Sequence, residues 1–419
     1  MRGFSFARGL IALVLVSCAA PDREPGASVE EVAPEVPSGE VPSGETPSGE
    51  PPSGETPQAP ATWEEHPADE RRLQYTGRVD WRSPGGATYA FPGVTVRLRC
   101  VCTDVEVAVE ELGSGGEQHI NFLDVRVDGV SLGMLQARPD GAWVRGVRDL
   151  PPGEHTVEFV KRTESYAGAV RLRGVRVRGR LLEPPARPAR RIEFVGDSIT
   201  CGYGNEASIA APTYTEPNTG YHAWNQDVGK AHGPLTARRL GAEWVTTCVS
   251  GRGVYRNNDG SRAGVMPLVY GRTLPDSPAP AWEPWRYVPD VIVLNLGTND
   301  FAVPDGSGLP SAPPSEPFQQ AYAAFVRELR ATYPAAVIVC AVGPMLSDSY
   351  PPGRQAWTRL RRDVSTLVST LRAEGDSHVH AFAFTPMAGD PYGEDWHPTA
   401  AFHARMADEL VPFLQGLGF

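Results

Sequence analysis

Positive charge, long apolar runs and metal-ligand spacings are all scarce in this chain of 419 residues. Only 39 Lys+Arg stand against 50 Asp+Glu, a formal net charge of −11. No clustered excess of cations is there to displace counterions from phosphate, which excludes a nucleic-acid surface. The apolar run Leu10–Val16 is far short of the ~20 residues a membrane-spanning helix needs. There is no HExxH, no CxxC and no Asp-rich calcium loop, and His222, His232 and His403 have no partners at metal spacing. The Cys100-x-Cys102 pair has no second Cys or His pair beside it. Neither a metal nor any other cofactor is expected.

What is present is unevenly spread. Apolar residues make up 41% of the chain, enough for sizeable cores. Between Ala19 and Thr62, however, nine acids face the single base Arg23, so −8 of the net −11 lies in that stretch. It repeats Pro-Ser-Gly-Glu from Pro37, Pro42, Pro47 and Pro52. With little to bury and charges that repel, such a stretch cannot offset its ordering entropy and reads as an extended tether. Ahead of it, Arg2 and Arg8 flank the start of the apolar run, and Leu15-Val16-Ser17-Cys18 follows. This is a cleaved export signal over residues 1–17, and its last four residues resemble a bacterial lipobox. The resemblance implies that Cys18 opens the mature chain and carries lipid, the tether then running over 18–62. It implies an exported protein anchored in the bacterial cell envelope, with Ala19 favouring the outer membrane or cell surface.

Five cysteines remain: Cys100, Cys102, Cys201, Cys248 and Cys340. An odd number in an oxidising compartment leaves at least one free. Cys100 and Cys102 share one face of an alternating run and are read as small core hydrophobes. Cys201 and Cys248 fall at the ends of two neighbouring predicted strands, which leaves a disulfide between them open.

Periodicity divides the rest. Over residues 63–182 apolar residues alternate with polar ones, as in Val94, Val96, Leu98 and Cys100, then Val105, Val107 and Val109. Turn signals such as Asp128-Gly129 separate the runs, predicting an all-β, jelly-roll-like sandwich. Residues 183–190 are a proline-rich linker. From 191 to 419 short apolar strands alternate with helices. Strands are predicted at Ile192–Val195, Glu243–Cys248, Val291–Leu296, Val337–Val342 and Val379–Phe384, and helices at Gly233–Leu240, Gln319–Thr332, Gln355–Ala373 and Thr399–Leu417. Such alternation predicts an α/β domain with a parallel sheet and helices on both faces, whose ligands bind at the carboxyl ends of the strands.

The distinctive residues lie at those ends: Gly196-Asp197-Ser198-Ile199-Thr200, Ser250-Gly251-Arg252-Gly253, Gly297-Thr298-Asn299-Asp300 and Glu394-Asp395-Trp396-His397-Pro398. Together they supply a hydroxyl, a base and donors for a developing oxyanion, the inventory of acyl transfer. The four blocks, in this order, resemble those of the GDSL, or SGNH, hydrolases, whose domain is flavodoxin-like. The run Gly196–Asn205, the segment Ser250–Asn257 and the preceding sandwich resemble carbohydrate esterase family 2, acetyl esterases of plant polysaccharides such as xylan. Gly196-x-Ser-x-Thr also lacks the second glycine of the GxSxG elbow, against an α/β-hydrolase fold.

The resemblance implies that Ser198 is the nucleophile and His397 its base. Backbone N–H groups of Ser198 and Gly253 and the Asn299 amide would form the oxyanion hole. Asp395 would orient His397, with Glu394 or a backbone carbonyl as alternatives. Asp197 and Asp300 are read as braces of their loops. Tyr221, Trp224, Trp282, Trp285 and Trp396 are candidate sugar platforms, Trp396 foremost because it adjoins His397. The implied function is a monomeric serine esterase removing acetyl groups from xylan- or glucomannan-type polysaccharide or oligosaccharide, touching membrane only through its N-terminal lipid. The rival readings are a lipase or thioesterase of the same fold, or a carbohydrate-binding surface protein that does not use the serine.

Overall fold

The computed structural model describes residues 62–113, 116, 119–208 and 220–419. The export signal, Cys18 and the tether lie outside the described residues.

The alternating region forms nine strands: β1 (Trp63–Pro67), β2 (Gln74–Thr76), β3 (Ala87–Tyr89), β4 (Thr95–Glu111), β5 (Phe122–Val127), β6 (Val130–Gln136), β7 (Trp143–Val147), β8 (Glu154–Lys161) and β9 (Val170–Leu182). All pairings among them are antiparallel. Two long strands, β4 and β9, run along each other from Arg99 on; β2 pairs β4 at Thr95–Arg97, β8 and then β7 pair β4 as well, and β9 also pairs β3 and then β1. Period two decides which side chains go inward. Val96, Leu98, Val105, Val107, Val175 and Val177 are fully buried. Asp128 and Gly129, both at positive φ, make the β5–β6 turn. Cys100 and Cys102 are buried here as expected, but they are not free hydrophobes: two residues apart on one face, their sulfurs are joined.

The second region contains β10 (Arg191–Gly196), α1 (Ser198–Cys201), α2 (His232–Arg239), β11 (Glu243–Cys248), α3 (Met266–Tyr270), the hairpin β12 (Arg272–Leu274) and β13 (Ser277–Ala281), β14 (Val291–Asn295), α4 (Ser315–Thr332), β15 (Val337–Val342), α5 (Ala356–Ala373), β16 (Val379–Ala383) and α6 (Ala400–Gly416). Five of these strands form a parallel sheet in the order β11-β10-β14-β15-β16. The inner strands β14 and β15 are apolar on both sides because both faces are covered. Ile192, Phe194, Val291 and Val293 join the core with α2 and α6, while Val195, Ile292 and Leu294 join the core with α4 and α5. From β10 the chain winds first to one side and later to the other. The crevice between the carboxyl ends of β10 and β14 is therefore the topological switch point where such sheets bind ligands.

The two regions share one continuous hydrophobic core. A buried ion pair crosses between them: Arg78 Nη2 lies 3.1 Å from Glu193 Oε1, and Glu193 also accepts from Tyr270 Oη and Thr247 Oγ1, both at 2.7 Å. Removing either partner alone would leave an uncompensated buried charge, so the pair fixes how the two regions meet. The linker residue Arg187 reaches Thr76 on one side and Glu243 on the other.

Candidate active site

Ser198 opens α1 at the carboxyl end of β10, with Asp197 as its cap; the Asp197 carboxylate accepts the Ile199 N–H at 3.1 Å. That expected brace leaves the Ser198 amide without an acceptor among the described residues. His397 Nε2 lies 2.7 Å from Ser198 Oγ. On the other side of the ring, His397 Nδ1 faces the carbonyl oxygens of Glu394 at 2.9 Å and Asp395 at 3.1 Å. A carbonyl can only accept, so Nδ1 must carry the proton and Nε2 must present its lone pair to the serine hydroxyl. This is the tautomer a base needs.

The expectation that the Asp395 carboxylate orients His397 is thereby corrected. Asp395 has φ +48 and the following Trp396 φ +63. This left-handed pair turns backbone carbonyls toward the imidazole and sends the Asp395 side chain elsewhere. Its oxygens accept from Tyr203 Oη at 2.6 Å and Gly220 N at 3.0 Å. Glu394 is equally occupied: its carboxylate accepts from His222 Nδ1 at 2.5 Å, His222 N at 2.9 Å and Asn225 Nδ2 at 2.8 Å. Two consecutive left-handed non-glycine residues cost about 1–3 kcal/mol each, and such strain persists only where surroundings over-determine it. Here the two carboxylates clamp the turn from both sides. The Tyr203 ring completes the clamp, stacked on His397 with centroids 4.3 Å apart.

Burial pushes the His397 imidazole down to about 4, with the two carbonyls and the Asp395 charge pulling the other way. A depressed value keeps the ring neutral until the pH falls to that region. Turnover of an acetyl ester is expected to be flat from neutral pH down to about pH 5 and to fall below it. A pH–rate profile checks this; an acid limb at an ordinary histidine value near 6.5 would contradict it.

The loop after β11 departs from expectation in its glycines. The Gly253 N–H donates to Asn257 Oδ1 at 3.3 Å and so is already engaged. A Cβ there would stand 2.0 Å from the Arg256 carbonyl oxygen and 2.5 Å from Asp300 Oδ2, so Gly253 serves the packing of its own loop. The donor this loop leaves unpaired is Gly251, at φ +77, whose amide meets no acceptor among the described residues. Val249 N, two residues earlier, bonds Gly196 O at 3.2 Å and carries this turn to the nucleophile strand. Asp300, fully buried, braces the loop by accepting from Val254, Tyr255 and Arg256 amides at 2.7–3.0 Å. Asn299 Nδ2 lies 3.2 Å from Asp197 Oδ2 and 3.1 Å from Arg252 O, linking the first three blocks. Cys201 and Cys248 are joined, tying the end of α1 to the end of β11, while Cys340 is free and buried.

Of the aromatic candidates, Trp396, Trp224 and Trp285 keep exposed faces, 40%, 37% and 69%. Trp224 packs on His222, which bonds Glu394, so Trp224 and Trp396 border the His397 turn. Tyr221 is corrected to a core residue: it is buried, bonds Gln226 through its hydroxyl, and packs with Phe122 from the sandwich. Trp282 and Trp285 precede β14 and so lie at the opposite end of the sheet, where they cover Arg78 and Arg286. Sequence reasoning did not single out Tyr203 or Glu164 at all, and it gave Gly251 no role of its own.

Residues 194–405 match the model of the GDSL-like lipase/acylhydrolase family. The chain belongs to that family. Residues 75–185 match the carbohydrate esterase 2 N-terminal domain, which places the sandwich beside the same catalytic domain as in family 2 carbohydrate esterases. The chain is 34% identical to a cellulase/esterase of Acetivibrio thermocellus over 82% of its length, and spans 39% of that longer relative. It is 30% identical to an acetylxylan esterase/glucomannan deacetylase of Cellvibrio japonicus, covering 83% of this chain and 89% of that one. A solved family two carbohydrate esterase from Clostridium thermocellum, in complex with cellohexaose, superimposes with a TM-score of 0.73 at 33% identity, over 83% of this chain and 99% of the other.

Proposed function

We propose that this family member is a carbohydrate O-acetyl esterase working through an acetyl-serine. The observation that carries the reading is the 2.7 Å contact between Ser198 Oγ and a His397 Nε2 held as acceptor by carbonyls on Nδ1. Ser198 Oγ attacks the acetyl carbonyl as its proton passes to His397 Nε2. Negative charge collects on the carbonyl oxygen, where the amides of Ser198 and Gly251 donate and Asn299 exchanges its bond to Arg252 O for one to the oxyanion. The tetrahedral species collapses as His397 returns the proton to the departing sugar oxygen. Water, deprotonated by the same ring, then releases acetate and restores Ser198.

The substrate reading draws on the two exposed tryptophans at the His397 turn, whose flat faces suit the C–H faces of sugar rings, and on the relatives named for acetylxylan and glucomannan. Acetate release measured on acetylated xylan, acetylated glucomannan and acetylated peptidoglycan, with Ser198→Ala as the blank, tests it. Release from the first two is the expected result. Activity on aryl esters that rises from acetyl to longer acyl chains would instead favour a lipase. On the same reading the enzyme is held at the cell envelope through Cys18, and membrane association is expected to be lost in Cys18→Ser; fractionation of both forms checks this.

A further inference from the structure

Glu164 belongs to the sandwich, in the turn between β8 and β9, yet its carboxylate ends in the catalytic domain. It is fully buried. Oε2 accepts the N–H of Ser250 at 2.9 Å, and Oε1 accepts the Ser250 hydroxyl. Ser250 immediately precedes Gly251. We propose that Glu164 is a positioning residue of the oxyanion site, holding the Ser250–Gly251 turn so that the Gly251 amide faces the reacting carbonyl. The inference rests on the esterase reading above.

The surroundings of Glu164 argue for a dedicated support. Lys161 Nζ, itself buried, donates to the carbonyl oxygens of Thr163 at 2.6 Å and Glu164 at 3.3 Å, fixing the turn that presents the carboxylate. Thr163 Oγ1 donates to Asn121 Oδ1 at 2.8 Å, and Asn121 Nδ2 donates to Glu111 Oε1 at 2.6 Å. Burial raises the Glu164 carboxyl above its ordinary value and pulls the Lys161 ammonium down to about 7, so both ions are held at a cost. Apolar side chains would fill the same space at least as stably. What they would not do is grip both polar groups of Ser250. Among the described residues, the Glu164 carboxylate bonds the catalytic domain at that serine alone.

The grip matters because an oxyanion donor is effective only when pre-aimed, within about 0.5 Å of its productive position. The Gly251 turn is held from below by the Val249–Gly196 bond and the Cys201–Cys248 link. Glu164 holds it from the side, where no catalytic-domain group among the described residues bonds the Ser250 amide. The sandwich thus contributes to the chemistry as a second wall of the oxyanion site.

The test uses the whole protein, 4-nitrophenyl acetate as substrate, and phenylboronic acid, whose tetrahedral adduct on Ser198 reports oxyanion contacts. Glu164→Ala is expected to lower kcat about 10²-fold with KM changed less than about threefold, and to raise the boronate Ki alongside. Glu164→Gln keeps an acceptor for the Ser250 N–H and is expected to recover about tenfold of that loss. Should Glu164→Ala fail to fold, Ser250→Ala, which removes one of the two bonds, is expected to lower kcat about tenfold with the same boronate response. A folded Glu164→Ala with wild-type kcat, equal losses in the Gln and Ala forms, or a lowered kcat with unchanged boronate Ki would overturn the proposal. A wild-type protein that hydrolyses no acetyl ester would instead overturn the esterase reading, and the positioning role with it.

Discussion

Replacing His397 with alanine is expected to lower kcat on an acetyl ester by roughly 10⁴–10⁶-fold, whereas Asp395→Asn is expected to lower it by less than about 10²-fold. The two residues stand two apart, and only one touches the nucleophile. His397 Nε2 is the sole base within reach of Ser198 Oγ among the described residues, so its loss leaves the hydroxyl protonated as it attacks. Asp395 holds Tyr203 and Gly220 instead. Asn keeps an acceptor oxygen at that place, so the left-handed turn and its two carbonyls can persist. What the substitution removes is a negative charge near, but not on, the imidazolium that forms in the transition state. In an enzyme whose aspartate bonds Nδ1 directly, the same change costs about 10⁴-fold because it inverts the tautomer. Here the backbone carbonyls of Glu394 and Asp395 fix the tautomer, and Asp395→Asn leaves both in place. Steady-state rates of both variants, with thermal midpoints to confirm folding, separate the two outcomes.

Asp300→Ala is expected to cost about 2–5 kcal/mol of stability and at least about 10²-fold in kcat. Its carboxylate satisfies three successive amides, Val254, Tyr255 and Arg256, in a fully buried setting. Alanine leaves all three without acceptors and opens a gap that Gly253 adjoins. The loop then loses the form that presents Gly251, although Asp300 makes no hydrogen bond to Ser198 among the described residues. Denaturant unfolding and kcat measured together check the prediction: a variant that keeps full stability, or one that keeps full activity, would show that the loop does not need this brace.

How far the sequence foretold this molecule depends on what each feature rests upon. The parallel strands at Ile192–Val195, Val291–Leu296 and Val337–Val342 were legible as short, largely apolar runs, and the structure begins or ends each within a residue of those limits. Helix α4 starts four residues ahead of its predicted first residue, Gln319, because Pro317 reads as a helix breaker in the sequence but sits in the first turn, where its missing N–H costs no helical bond. Ser198, Asn299 and His397 were legible as rim residues of a parallel sheet. The role of Asp395 was not, because positive φ at Asp395 and Trp396 leaves no trace in residue type when neither is glycine. Tyr221 was misread because its burial comes from Phe122, 99 positions earlier in the other domain. Glu164 was invisible for the same reason: its partner Ser250 lies 86 residues on, and neither pattern nor spacing connects them.

The central claim, that Ser198 carries the acetyl group between sugar and water, is tested most directly by acid-quenching the enzyme during turnover of an acetyl ester and mapping the acetylated peptide by mass spectrometry. The account predicts acetyl on the peptide containing Ser198, with neither adduct nor acetate release in Ser198→Ala. Acetate released by Ser198→Ala at the wild-type rate, or an adduct on another residue, would contradict it.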